Sequence, residues 1–285
     1  MNTQHHIKIE NSLRHGKACI LLLSITLLFN TAHAGGEGRD RGARSSALGG
    51  SIVSIPDDAW AGAWNPALLA WLPTGGSIVW TPSRYGLREL ESSGIVWAQH
   101  VAGAGAMFAI SNFGSSLYRE TTPALSFGME VDGGVALGVR AALLCISIER
   151  YGSTSLPQVD VGMAIALHEG VSFGALVSNI SHTSISATVR DRLPLVVSTG
   201  ISWNLDSLAL FTVEVEKDVR WPFTVRTGVE YKPVDVLVFR IGATVEPFTS
   251  SFGIGIRHAG FVVDVSYRHH PDLGGTQYLG IGFQP

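Results

Sequence analysis

The sequence predicts an all-β membrane protein, an up-and-down antiparallel transmembrane β-barrel of about 14 strands with a short helical N-terminal plug. Three observations lead to it. First, the composition is membrane-like: 46% of residues are hydrophobic, 15% are charged and 33 are glycine, where a soluble domain carries roughly 25% charged residues. The mean hydropathy is +0.25. The one long apolar run, Ala18 to Phe29, nevertheless falls well short of the roughly 20 residues that a spanning helix needs. Second, from Gly76 onward apolar residues alternate with small or polar ones, the period of a two-faced strand. Third, the connections between these runs are short and long in turn.

The first element in order is the apolar run itself. Lys8, Arg14 and Lys17 precede it, and Thr31-Ala32-His33-Ala34 follows with small residues at the −3 and −1 positions. That is the layout of a secretory signal peptide over 1–34, cleaved after Ala34. Cys19 opens the run instead of closing it, which argues against a lipoprotein anchor. Cleavage removes three basic residues and Glu10, leaving 17 basic and 22 acidic residues, a net of −5. No basic footprint for nucleic acid remains. Cys145 is then the single cysteine, so no intramolecular disulfide holds the exported chain.

The barrel is expected over 76–285. Phe261, Val263, Val265 and Tyr267 alternate with Val262, Asp264, Ser266 and Arg268; Phe223, Val225, Thr227, Val229 and Tyr231 alternate with Thr224, Arg226, Gly228 and Glu230. The runs read as strands over 76–81, 92–101, 103–112, 120–131, 134–149, 157–167, 171–179, 193–203, 208–217, 222–231, 235–245, 251–258, 261–269 and 275–284. Alternation slips near Ala141, which reads as a bulge. Tight connections such as Ala102-Gly103, Asp132-Gly133-Gly134, Lys232-Pro233-Val234 and His258-Ala259-Gly260 have hairpin chemistry. The intervening ones, around 82–91, 113–119, 150–156, 180–192, 218–221, 246–250 and 270–274, are longer. Outer-membrane barrels segregate short periplasmic turns from longer outer loops in this way. The apolar face must point into lipid, and closure is required because hydrocarbon cannot satisfy an open strand edge. Trp80, Trp97, Trp203, Trp221, Tyr231 and Tyr267 fall near strand ends, where aromatic girdles belong, and the last strand closes on Phe283.

Residues 35–75 read differently, as the plug segment. Pro56 to Trp64 reads as a short helix with Asp57 and Asp58 in its first turn. Asn65 caps a second one, with Pro66 at its first position and Ala67 following. Trp60, Trp64 and Trp71 sit in these two pieces, which are too short to be stable without docking on something large.

The order R-x-x-x-L-G-G (Arg44 to Gly50), D-D-A (Asp57 to Ala59) and W-N-P-A-L-L-A (Trp64 to Ala70) directly after a signal peptide resembles the start of FadL-type outer-membrane proteins, and is most similar to their PorV/PorQ-like branch. Leu48 stands where that branch commonly has Met, and the chain is shorter than typical members. The resemblance implies a fourteen-stranded barrel whose N-terminal segment packs in the lumen as a plug. It makes Asp57, Asp58, Trp60, Trp64, Asn65, Pro66 and Ala67 the plug motif.

Two groups of residues fall on the face assigned to the lumen. Gly138, Gly162, Gly174, Gly200, Gly228, Gly242, Gly253, Gly255, Gly280 and Gly282 would form clefts for the plug or relieve curvature. The charges Arg140, Asp160, Glu214, Glu216, Arg226, Glu230, Arg240, Arg257, Asp264 and Arg268 would order the plug as an ion-pair network, with a selectivity filter as the alternative.

Enzyme chemistry finds no foothold. There is no G-x-S-x-G, P-loop, dinucleotide fingerprint or C-x-x-C, no cofactor is implied, and Glu214 with Glu216 read as wall charges. His269, His270 and Asp272 lack a second cluster that would complete a metal site. The expected setting is the bacterial outer membrane, with its lipid as a partner. The PorV/PorQ resemblance implies an accessory of type IX secretion that binds secretion components or exported cargo. The FadL resemblance implies instead a transporter of hydrophobic small molecules such as fatty acids.

Overall fold

The computed structural model describes residues 42–168, 170–181, 183, 193–206, 208–218 and 222–285. The expected leader, residues 35–41, Trp221 and most of the loop at 180–192 lie outside the described residues. From Gly75 the chain forms fourteen antiparallel strands, each paired with its sequence neighbours: β1 (Gly75–Thr81), β2 (Ser92–Val101), β3 (Ala104–Gly114), β4 (Tyr118–Asp132), β5 (Val135–Ile148), β6 (Gly152–His168), β7 (Val171–Ser178), β8 (Val196–Leu205), β9 (Ala209–Asp218), β10 (Phe223–Val234), β11 (Leu237–Val245), β12 (Thr249–His258), β13 (Phe261–His270) and β14 (Gly274–Phe283). β1 pairs with β14, Gly76 opposite Phe283, so the sheet closes with no edge.

The outer face is apolar for the reason given by the alternation. Leu125, Phe127, Met129, Leu137, Val139 and Val161 are exposed on β4–β6, while their neighbours Ser126, Gly128, Arg140 and Asp160 are buried inside. Trp80, Trp97, Trp203 and Tyr231 are exposed, and Phe261 packs on Phe283 at 5.0 Å where the last hairpin meets the end of the chain. No helix among the described residues is long and apolar enough to cross a membrane.

Three expectations change. The turn-side hairpins are tight, but the other side is shorter than the sequence implies. The connections at 115–117, 149–151, 246–248 and 271–273 are three residues long, because the strands run on into the expected loops. Lys232-Pro233-Val234 likewise belongs to β10, and its turn is 235–236.

The bulge expected near Ala141 is absent. β5 keeps one register along all of β6, from Val135 opposite Ile165 to Ile148 opposite Gly152, and the β4–β5 irregularity sits at Glu130/Asp132. What changes at Ala141 is polarity. Below it the lipid face is apolar and the inner face small or charged. Above it, Leu144, Ile146, Ile148 and Leu156 take inner positions while Cys145, Ser147, Ser153 and Ser155 take outer ones. The backbone keeps its period while hydrophobicity crosses the wall. Pro123 and Pro157 stand at this level on either side of Leu143, and the β4–β5 ladder lacks its pairs at Thr122 and Pro123.

Residues 42–74 lie inside the barrel. Helix α1 (Ala43–Ala47) ends on Gly49 and Gly50, whose φ values of 66° and 81° turn the chain. The Gly50 amide donates to the Ser45 carbonyl at 2.8 Å and the Gly49 amide to Ser46 at 3.2 Å, a Schellman ending. α2 is shorter than expected, Ala61–Trp64. Asp57 and Asp58 therefore stand in the preceding turn, where Asp58 Oδ1 accepts the Trp60 amide at 2.8 Å. A 3-10 helix, Pro66–Ala70, follows with Pro66 at its start and Asn65 as its cap.

Candidate functional site: the filled lumen

The internal segment follows the inner wall against strand order. α1 faces β11 to β14. The Ser51 hydroxyl then meets Thr212 on β9 at 2.8 Å, and the amides of Ile52 and Val53 donate to Glu214 Oε2 at 2.9 and 3.0 Å. Ser202 on β8 donates to the Ser54 carbonyl at 3.0 Å. After α2, whose Gly62 carbonyl accepts from Ser126 on β4 at 2.9 Å, the 3-10 helix crosses β6 to β3. Trp71 and Ala70 finish at the turn side, held by Glu130 and His100.

Asn65 joins the two halves of this path. Its Nδ2 donates to the Val53 carbonyl at 2.9 Å and to the Met163 carbonyl on β6 at 3.0 Å, while Oδ1 accepts the Ala67 amide at 3.1 Å. Both N–H donors and the oxygen of a fully buried amide are thereby engaged. This is the physical content of the N-P-A triplet: a cap, a helix start and a tie to the wall.

Glycine lets the wall come this close. Gly105, Gly128, Gly138 and Gly162 are cross-strand neighbours in one row over β3–β6. A Cβ there would run into Leu69, Pro66, Ala67 or Asn65. The same holds at Gly174 against Val53, Gly242 against Gly49 and Leu48, and Gly253 against Ala47. Gly94 receives the Trp60 ring, which a Cβ would meet at 2.6 Å. Gly255 differs, because its neighbours are the wall side chains Asp264 and Arg240. Gly94, Gly105 and Gly128 are absent from the sequence-derived set, although the same inward parity selects them.

The expected lumenal charges form three groups. Glu230 on β10 accepts from Arg240 Nε at 2.6 Å and from Arg44 Nε at 2.8 Å, and Arg257 stands 4.0 Å away. Arg240 also reaches Asp264 at 2.6 Å, and Arg44 reaches Asp57 at 2.8 Å. Arg44 is 4% exposed and Asp57 52%, so the cluster runs from the buried wall to the turn-side mouth. The second group joins Arg226 to Glu214 at 3.1 Å and Glu216 at 3.0 Å. The third is Arg140 with Asp160 at 2.7 Å, and Asp160 also accepts the Asn179 amide at 2.8 Å. The Arg268 guanidinium donates to the Ser46 carbonyl at 3.4 Å and faces the Tyr278 ring. Burial pushes the Asp58 carboxyl up, against the opposing pull of Arg44. Arg44 is the residue that the sequence-derived charge set lacks. Its clue was its place in R-x-x-x-L-G-G.

The inner face is not glycine and charge alone. Val96, Ala98, Met107 and Ala109 of β2 and β3 are buried inward, and they pack with Ala59, Trp60, Leu69 and Leu72, with Val79 and Trp64 alongside. This is an apolar stretch of lumen against β1–β3, which the sequence reading did not single out. No cluster of metal-ligating side chains occurs among the described residues.

The fold has counterparts among solved structures. The toluene transporter TodX of Pseudomonas putida matches over 85% of this chain and 96% of its own, at 10% identity and a TM-score of 0.61. CymD, a monoaromatic hydrocarbon channel, matches over 85% and 96% at 12% identity and a TM-score of 0.62. A Pseudomonas aeruginosa FadL homologue matches over 85% and 98% at 10% identity and a TM-score of 0.59. The fold is shared with FadL-type channels. At these identities the likeness is one of fold. No family model and no curated protein matches the chain. Nothing in these matches favours the PorV/PorQ-like branch or a part in type IX secretion over the FadL-type channels.

Proposed function

We propose that this chain is an outer-membrane channel for hydrophobic small molecules, exported by a cleaved leader over 1–34 and closed by residues 35–75 acting as a plug. The observation that carries the reading is the filled lumen with an apolar stretch beside the plug, in a fold whose neighbours are named as hydrocarbon channels. The plug motif and lumenal charges then have one task. Asn65, Pro66 and Ala67 dock the plug on β4–β6. Arg44 and Asp57, with Glu230, Arg240, Arg257 and Asp264, fix its entrance, and Glu214, Glu216 and Arg226 hold its middle. Trp60 and Trp64 supply the apolar surface that faces β1–β3. The turn side faces the periplasm, as short turns do in outer-membrane barrels.

The test uses cells with an intact lipopolysaccharide leaflet, since a phospholipid liposome is itself permeable to such molecules. Expression of the chain should raise the initial rate of labelled toluene or labelled fatty acid uptake over a vector control. Equal rates for both probes, with the folded barrel present in the outer membrane, would remove the channel reading.

A further inference from the structure

The inward glycines of β14 depart from the glycine rule of the lumen. Around β3–β12 an inward glycine, Gly255 apart, is where the plug touches the wall. At Gly280 a Cβ would meet nothing nearer than Ala43 Cβ at 3.5 Å, and at Gly282 nothing nearer than the Gly76 carbonyl at 3.3 Å. Across the β14–β1 seam the plug therefore stands off. A cavity of about 40 Å³ occupies the gap, with Gly280 and Gly282 on one side, Trp60 and Ala59 on the other, and Val79 and Val262 between. Arg44, Arg257 and three carboxylates also line it.

Two further facts bear on this gap. Ala59, Trp60 and Val79 belong both to its lining and to the apolar stretch against β2 and β3, so the two are continuous through the Trp60 ring. Among the described residues the Trp60 indole N–H, which is buried, has no hydrogen-bond partner. Among these residues the ring is thus held by packing alone, and swinging it aside breaks no hydrogen bond with them.

We infer that the hydrophobic ligand passes to the turn side along this glycine-lined cleft between plug and β14–β1 seam, with Trp60 as the gate. This rests on the channel reading above. At rest the cleft has room for roughly three waters, so passage requires Trp60 to move while the plug stays docked. The ligand class is a small uncharged apolar molecule. Three carboxylates against two guanidiniums line the cleft, and Arg44 is already committed to Glu230 and Asp57, so a carboxylate ligand finds no welcome.

The experiment places Gly280→Leu in the full chain, in lipopolysaccharide-bearing cells, beside the wild type. A Cβ fits at Gly280 and the added side chain fills the cleft, so the folded barrel should form while labelled toluene uptake falls roughly tenfold, a barrier change of about 1.4 kcal/mol. A folded variant that conducts at the wild-type rate overturns the route. An inactive wild type overturns the channel reading instead, which keeps the two failures apart. A second measurement needs no transport. In a Cys145→Ser background, the Gly280→Cys thiol should react slowly with N-ethylmaleimide, and adding Trp60→Ala should speed the reaction roughly tenfold. Equal rates with and without Trp60→Ala overturn the gate, whatever the fate of the leucine variant.

Discussion

On β3–β6, Gly105, Gly128, Gly138 and Gly162 make one cross-strand row, and at each a Cβ would enter the space of Asn65 to Leu69. On the β14–β1 side, Gly280 and Gly282 line a cavity; a Cβ at Gly280 finds ordinary room, and one at Gly282 is limited only by the Gly76 carbonyl of the wall, not by the plug. The residue type is the same and the inward parity is the same. The difference lies in what stands opposite: main chain held by Asn65 in the first case, and in the second an indole packed without a hydrogen-bond partner among the described residues. One wall is moulded to the plug and the other leaves a gap, so a barrel can be firmly plugged and still have one place that opens.

The largest test of this contrast is Gly138→Ala. A methyl group there meets the Pro66–Ala67 peptide, which Asn65 and the β6 wall keep from retreating. The expected cost is about 3 kcal/mol, the upper end of overpacking. It would be read as a loss of urea resistance and of the unheated folded band on a gel. Arg44→Ala comes next or equals it. It removes a guanidinium shared by Glu230 and Asp57, and breaking a buried pair costs about 3–5 kcal/mol. Arg240 remains on Glu230 and moderates the effect, so we expect about 3 kcal/mol by urea titration followed through tryptophan fluorescence. Asn65→Ala removes a cap and leaves the Val53 and Met163 carbonyls without their amide donor, about 2 kcal/mol by the same titration. Gly280→Ala should be smallest, within about 0.5 kcal/mol. A change as large as that of Gly138→Ala would erase the distinction between the two walls.

Much of the barrel was legible before any coordinates. The strand at 261–269 is observed at Phe261–His270 and that at 208–217 at Ala209–Asp218, because a lipid-facing strand must alternate and a lumen-facing one has little apolar bulk to blur it. Legibility failed where that premise failed. At Ala141 hydrophobicity moves to the inner face, and a reader of polarity mistakes this for a bulge. The loops at 113–119 and 150–156 were read too long because their polar residues belong to strands that continue beyond the apolar band.

The site was legible in part. Inward glycines and charges follow from parity, and Asn65 and Pro66 from capping chemistry. Their partners do not follow. Glu230 bonds Arg44 186 positions away, and Asn65 bonds Met163 98 positions away. No local pattern encodes which carboxylate faces which guanidinium across a lumen.

By itself the sequence determined that the chain hides its hydrophobicity on alternate residues, that fourteen such strands follow a tryptophan-rich segment, and that glycine and charge face inward. These are properties of each strand and its turns, set by a repeat two residues long. Only the closed barrel decided the rest. Closure brings residues far apart in sequence to opposite sides of one narrow space, and whether an inward glycine is a contact or a gap depends on the main chain that fills it.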